Sequence, residues 1–96
     1  MTLSVFATIT PKPEFRDQVE ASLKSILAPT REEPGCHRFE LHAGNDGDAN
    51  LYLVETWQDE AALQAHYAEP YITSVFASYG DWLAHPPAVI KMTPVA

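Results

Sequence analysis

The segment Leu51-Tyr52-Leu53-Val54-Glu55-Thr56-Trp57 decides the fold, because its side chains alternate with the period of two that a β-strand requires. One face of this strand carries Leu51, Leu53, Glu55 and Trp57, and the other carries Tyr52, Val54 and Thr56. Both faces are mainly apolar or aromatic. We therefore expect a strand inside a sheet, with helices on one face and a second protein surface on the other.

Helical patterns follow this strand. Asp59 is suited to cap a short helix whose inward side carries Leu63, His66 and Tyr67. Pro70 is suited to open a further helix, which the pattern predicts to end at Gly80. Apolar side chains recur there at helical spacing, at Ile72, Val75, Phe76 and Tyr79.

Another strand is predicted before the central one. Residues 36–42 alternate so that His37, Phe39 and Leu41 share one face. The turn-forming run Gly44-Asn45-Asp46-Gly47-Asp48-Ala49-Asn50 then joins the two strands as a hairpin loop. A slip of one residue would turn every inward side chain outward. We therefore expect one set to face the helices together, namely Phe39, Leu41, Leu53 and Trp57.

The two ends of the chain supply the remaining elements. Alternation over residues 3–10 predicts a first strand, and Val89, Ile90 and Met92 predict a short last strand. An amphipathic pattern predicts a helix over roughly residues 13 to 31. Pro29 removes one hydrogen bond of this helix and should kink or end it, and Glu33-Pro34-Gly35 follows as a turn.

The predicted order is β-α-β-β-α-(α)-β, within a single domain over residues 1–96. This order is typical of the ferredoxin-like α+β fold, in which helices cover one face of an antiparallel sheet.

Composition and charge limit the partners. The 96 residues carry a formal charge of −7, which repels nucleic acid and anionic lipid, so we expect neither as a partner. Neither a membrane-spanning apolar run nor a signal-peptide pattern is present in the sequence. The lone Cys36 fits a reducing compartment, and we expect a cytoplasmic protein.

A set of short motifs resembles one family. They are Glu33-Pro34-Gly35-Cys36, Arg38-Phe39-Glu40-Leu41-His42, Leu53-Val54-Glu55-Thr56-Trp57, Ala62-Leu63-Gln64-Ala65-His66, Glu69-Pro70 and Pro86-Pro87. In this order and spacing they resemble the antibiotic biosynthesis monooxygenase (ABM) domain family, including its quinol monooxygenase-like members. The resemblance implies a dimeric α+β barrel with a small cavity between sheet and helices in each subunit. It also implies one of several activities: oxygenation of aromatic polyketides or quinols without metal or flavin, haem degradation, or isomerisation of small phosphorylated sugars.

The chain departs from parts of the family pattern. Members often carry Pro-His-Phe where this chain has Pro70-Tyr71-Ile72. The polyketide oxygenases use an Asn and a Tyr at the positions of Leu53 and Leu63, so only Trp57 is kept from that set. The resemblance therefore does not carry over the polyketide reaction.

The catalytic candidates are Trp57, His66 and Glu55. Trp57 could form a flat wall or donate its indole N–H to a planar substrate, or it could simply be a core residue. His66 could transfer a proton near neutral pH, or it could be a structural histidine bonded to backbone. Glu55 shares an apolar face, so it should be a base with a raised pKa or be paired, for example with Arg38.

An aromatic and aliphatic pocket should hold the substrate, lined by Phe39, Leu41, Leu53, Leu63, Tyr67, Tyr71 and Phe76. We expect no metal, because His37 and His42 point to opposite strand faces and no metal-ligand motif occurs. We expect no nucleotide cofactor either, because no glycine-rich phosphate loop is present.

Two classes of function remain open. One is a cofactor-independent monooxygenase of a small quinol or phenol, with His66 or Glu55 as the base. The other is a non-catalytic dimeric module that binds a small ligand, and the resemblance adds an isomerase of a small carbonyl or sugar-phosphate compound. In each case we expect a homodimer, with Phe6, Tyr52 and Val54 near the interface.

Overall fold

Four strands form one antiparallel sheet in the computed structural model, which describes residues 2–96. The strands are β1 (Leu3–Ile9), β2 (Cys36–Ala43), β3 (Leu51–Trp57) and β4 (Ala88–Met92), and they lie in the order β2-β3-β1-β4. Helices connect β1 to β2 and β3 to β4. The expected ferredoxin-like α+β fold is confirmed.

The helical segment after β1 is divided, whereas the sequence pattern predicts one helix. A 3-10 turn at Pro13–Phe15 leads into α1 (Arg16–Ser25), and α2 (Leu27–Arg31) follows. The break lies at Ile26, one turn before Pro29. Pro29 cannot donate to the carbonyl of Ser25, and its ring crowds that carbonyl, so the expected interruption falls on that turn.

The two helices after β3 begin as predicted, but the second ends later. In α3 (Glu60–Tyr67), the Asp59 carboxylate caps the helix by accepting from the Ala62 backbone N–H at 2.9 Å. The next helix, α4 (Pro70–Trp82), continues through Gly80, so the predicted end there is wrong. A tertiary contact fixes the end instead, because the Trp82 carbonyl accepts from the Lys12 N–H at 2.9 Å.

A bulge in β2 places His37 differently from the prediction, which put it on the helix-facing side of the sheet. Cys36 lies opposite Trp57 while Arg38 lies opposite Thr56, so His37 is an extra residue in the ladder. Cys36 therefore takes the helix-facing position expected of His37, which is exposed. Beyond the bulge the alternation holds, with Leu41 opposite Leu53.

The core lies between the sheet and the helices. Its largest fully buried side chains include Trp57, Phe39 and Leu63. On the opposite sheet face, even-numbered residues of β1 and β3 are only half-buried. Among residues 2–96, no helix is both long and apolar enough to cross a membrane.

Candidate active site

A cavity of about 300 Å³ lies between the inner face of the sheet and helices α3 and α4. Its size is at the lower end for small-molecule sites. Most of its wall is aliphatic or aromatic. The lining residues are Val5, Ala7, Ile9, Ile26, Phe39, Leu53, Glu55, His66, Tyr67, Ile72, Val75, Phe76, Tyr79, Pro87 and Val89.

The structure places the predicted site residues in two groups. The cavity lining includes Phe39, Leu53, Glu55, His66, Tyr67 and Phe76. Outside the lining lie Leu41, Leu63, Tyr71 and Trp57. Leu63 is fully buried in the core, and the hydroxyl of Tyr71 is bonded to Glu33, which explains why neither reaches the cavity.

Glu55 is a buried carboxyl in an otherwise apolar part of the wall. Its Oε1 accepts a hydrogen bond from Trp57 Nε1 at 2.9 Å. Burial raises the pKa of Glu55 to about 7, the Glu33 charge adds to the rise, and the Trp57 bond opposes it. Pairing with Arg38 is not observed, because Arg38 instead forms an ion pair with Glu40 at 3.0 Å.

Of the two alternatives for Trp57, a wall of the substrate site or a core residue, the structure places it in the core. Its side chain is completely buried, and its ring lies against that of His66, with 4.7 Å between ring centroids. Its indole N–H is used by Glu55. Trp57 therefore contacts two residues of the cavity wall, Glu55 and His66, without lining the cavity itself.

His66 is held by a residue that the sequence pattern did not indicate. Nδ1 of His66 lies 2.9 Å from Oε2 of Glu33, and the two side chains are only 4% and 9% exposed. The Tyr71 hydroxyl donates to the same Glu33 oxygen. Three separate segments thus meet at one carboxylate: the turn after α2, helix α3 and helix α4.

The turn that carries Glu33 is shaped by Gly35. Gly35 has a φ of +84°, and a Cβ there would lie 2.7 Å from Cβ of Ala62 on α3. Its carbonyl accepts from the Gln58 N–H at 2.7 Å. These contacts press the turn against α3 and bring Glu33 to His66. The only sequence signal was Glu33-Pro34-Gly35, which indicates a turn and not a buried carboxylate.

Aromatic rings form one side of the cavity. Phe76 stands between Tyr67 and Tyr79, with ring centroids 5.8 and 5.7 Å away. Burial and the nearby Glu55 raise the pKa of Tyr79 to about 12, and the same causes raise the pKa of Tyr67. Both phenols are therefore neutral at physiological pH. Phe76 and Val89 remain 43% and 47% exposed, which places apolar side chains at the cavity mouth.

Among the described residues, the cavity wall offers no permanently cationic side chain to a negatively charged ligand. None of the lining residues, all of which belong to the described part of the chain, is Lys or Arg. Within residues 2–96, no three His, Cys, Asp or Glu side chains cluster as metal ligands would. Burial raises the pKa of the Cys36 thiol, which disfavours the nucleophilic thiolate.

Comparison with known proteins places these features in a family. Residues 2–78 match the family model described as "Antibiotic biosynthesis monooxygenase". The chain is 32% identical over 93 residues to "Putative monooxygenase Rv0793" of Mycobacterium tuberculosis, covering 97% of this chain and 91% of the relative. The structure of Rv0793 superposes with a TM-score of 0.94, covering 100% of this chain and 97% of that one at 31% identity. PA3566 from Pseudomonas aeruginosa gives a TM-score of 0.93, covering 99% and 95% at 27% identity. The chain belongs to the antibiotic biosynthesis monooxygenase family.

Proposed function

We propose that this protein is a monooxygenase of a small, neutral quinol or phenol, and that it uses neither metal nor flavin. The observation that carries the proposal is the Glu55 carboxyl, which lies in the wall of an apolar cavity and has a pKa of about 7. A general base is most effective when its pKa lies near the working pH.

The chemistry needs only a base, a dry pocket and O₂. Glu55 takes the phenolic proton, and the electron-rich phenolate then gives one electron to O₂. The two radicals combine to form a C–O bond at a ring carbon that bears hydrogen and lies ortho or para to the phenolate oxygen, and Glu55 returns its proton to the terminal peroxide oxygen. Loss of water then leaves a quinone. A phenol plus O₂ contains the atoms and electrons of a quinone plus water, so no external reductant is consumed.

The residues of the cavity wall favour a monooxygenase of phenols over an isomerase of sugar phosphates. A phosphate group in a protein site is normally met by Arg, Lys or clustered backbone N–H groups. The lining residues include no Lys or Arg, and the buried Glu55 would repel a phosphate. A planar neutral ring, by contrast, matches Phe39, Tyr67 and Phe76 in the wall.

A second copy of the chain is the proposed partner. Phe6 and Tyr52 stack on the sheet face away from the helices, with ring centroids 5.6 Å apart, and Val54 lies on the same face. In β4, Ile90 and Met92 share this face and are 55% and 43% exposed. An apolar sheet face of this kind is covered when two copies pack together.

Oxygen uptake with a panel of hydroquinones and monophenols tests the function, in buffer treated with a chelator. With ¹⁸O₂, we expect one labelled atom in the quinone and the other in water. Glu55→Gln should lower turnover by about 10²–10⁴-fold, the usual contribution of a general base. Glu14→Gln, at an exposed residue outside the cavity, is the matched control. Tight binding of a ring compound without oxygen uptake would instead support the binding module.

A further inference from the structure

We propose that Glu33 is a positioning residue that keeps the proton of His66 on Nδ1, so that His66 Nε2 is the second proton acceptor in the cavity. This inference rests on the proposed function, since it assigns the proton transfer that Glu55 does not perform. The juxtaposition of Glu33, His66 and Tyr71 carries it.

The hydrogen bonds fix the direction of the Glu33 contact. A carboxylate only accepts, and here one oxygen accepts from the Tyr71 hydroxyl and lies 2.9 Å from His66 Nδ1. Burial and the Glu33 bond raise the pKa of Tyr71, so its hydroxyl remains a donor. Nδ1 must then donate as well, and in the neutral imidazole the lone pair then lies on Nε2.

The ring is also fixed in place. Besides the Glu33 bond, it contacts Trp57 at 4.7 Å and Phe39 at 5.4 Å between ring centroids. His66 is 3% exposed and lines the cavity, and Nε2 points away from Glu33 because the two nitrogens lie on different sides of the ring. No hydrogen bond to Nε2 is found from any of residues 2–96. The free lone pair is therefore available to a ligand.

The last step of the proposed reaction needs such a group. After oxygen addition, the ring carbon bears both a hydrogen and a hydroperoxide. Nε2 takes the proton of that C–H bond, and the electron pair of the bond becomes the second bond of the new carbonyl. The O–O bond breaks, hydroxide leaves, and it takes the proton from the imidazolium to form water. The adjacent Glu33 carboxylate stabilises the imidazolium formed in this step.

The tautomer of His66 is the first test, because it requires no substrate. We expect ¹⁵N NMR of the labelled protein to show the Nδ1–H form, with the signals assigned by their loss in His66→Asn. Glu33→Gln should allow the Nε2–H form, because its amide can donate to Nδ1. Glu32→Gln is the matched control, since this neighbouring side chain is exposed. A wild-type Nε2–H tautomer, or an unchanged tautomer in Glu33→Gln, would overturn the inference.

Kinetics on a turned-over quinol form the second test. Glu33→Gln should lower kcat by about 10²-fold, within the usual range for general acid–base groups, while KM changes less than about threefold. Glu33→Asp should recover part of kcat because it keeps the charge. A rise in KM with kcat unchanged would refute the assignment. If the wild-type protein oxidises no phenol, the proposed function fails, and the tautomer still decides whether Glu33 positions His66.

Discussion

Replacing Glu55 by Gln should change how stability depends on pH, and the structure gives the size of the effect. Gln has nearly the same shape, and its amide oxygen can still accept from Trp57 Nε1. The substitution therefore removes the titration of Glu55 while keeping its main contact. Any difference between the two proteins that varies with pH belongs to this carboxyl.

The direction of the effect follows from proton binding. The pKa of Glu55 is raised from 4.5 to about 7 in the folded protein, so between these values the folded state holds a proton that the unfolded state has lost. Stability from this group is fully present below pH 4.5 and is lost as the pH rises through 7. At ~1.4 kcal/mol per pH unit, the loss amounts to about 3 kcal/mol above pH 8.

Urea unfolding monitored by tryptophan fluorescence measures this difference at each pH. The concentration of protein must be fixed, because the stability of the proposed dimer depends on it. We expect the two proteins to change in parallel below pH 4.5, and Glu55→Gln to gain about 3 kcal/mol relative to wild type by pH 8.5. A constant difference between the two proteins from pH 4 to pH 9 would refute a raised pKa and, with it, the role of Glu55 as a base tuned to neutral pH.

Three other predictions concern the support of the site, the turn and the dimer. Trp57→Phe removes the N–H bonded to Glu55, so the pKa of Glu55 should rise further, by about one unit, and the acid limb of the pH–rate profile should shift with it. Gly35→Ala should lower the free energy of unfolding by about 3 kcal/mol, because the new Cβ would clash with Ala62 and the positive φ is unfavourable for alanine. Gly47→Ala is the control, since Gly47 has a similar φ of +82° but open space around it. It should lower the free energy of unfolding by only about 1 kcal/mol in the same urea assay. Light scattering should give twice the chain mass of 10.6 kDa for wild type and the single-chain mass for a folded Val54→Asp; wild type at the single-chain mass would disprove the dimer.

Strand positions could be predicted from the sequence because alternation follows directly from strand geometry. β3 has the predicted bounds and β1 ends one residue before the predicted Thr10. The buried residues of both strands lie on the predicted inward face. The bulge at His37 could not be predicted in this way, since an extra residue reverses the alternation only locally. The end of α4 could not be predicted either. Gly80 has a weak helix preference, but the backbone hydrogen bond from Lys12 to the Trp82 carbonyl outweighs it.

A residue of the candidate site could be predicted where the pattern of its own strand or helix shows which way it faces. Glu55 stands out because a carboxyl alternates with apolar residues on one strand face, and His66 because it lies on the inward side of a short helix. Glu33 is 33 residues from His66, and only the packing of the turn on α3 brings the two together. A single sequence carries no local signal for such a contact, and the same is true of the position of Trp57 beneath the cavity.

Glu55 joins the stability of the protein to its proposed chemistry. The ionised form is the one that can accept a phenolic proton, and it is also the form that we expect to weaken the fold by about 3 kcal/mol. Trp57 limits that penalty, because its N–H bonds the ionised carboxyl and opposes the effect of burial on the pKa. A core of fully apolar residues would be more stable at neutral pH, yet it would hold no base. The sheet therefore keeps a buried carboxyl at a cost in stability, which is the pattern expected where the wall of a cavity is built for proton transfer.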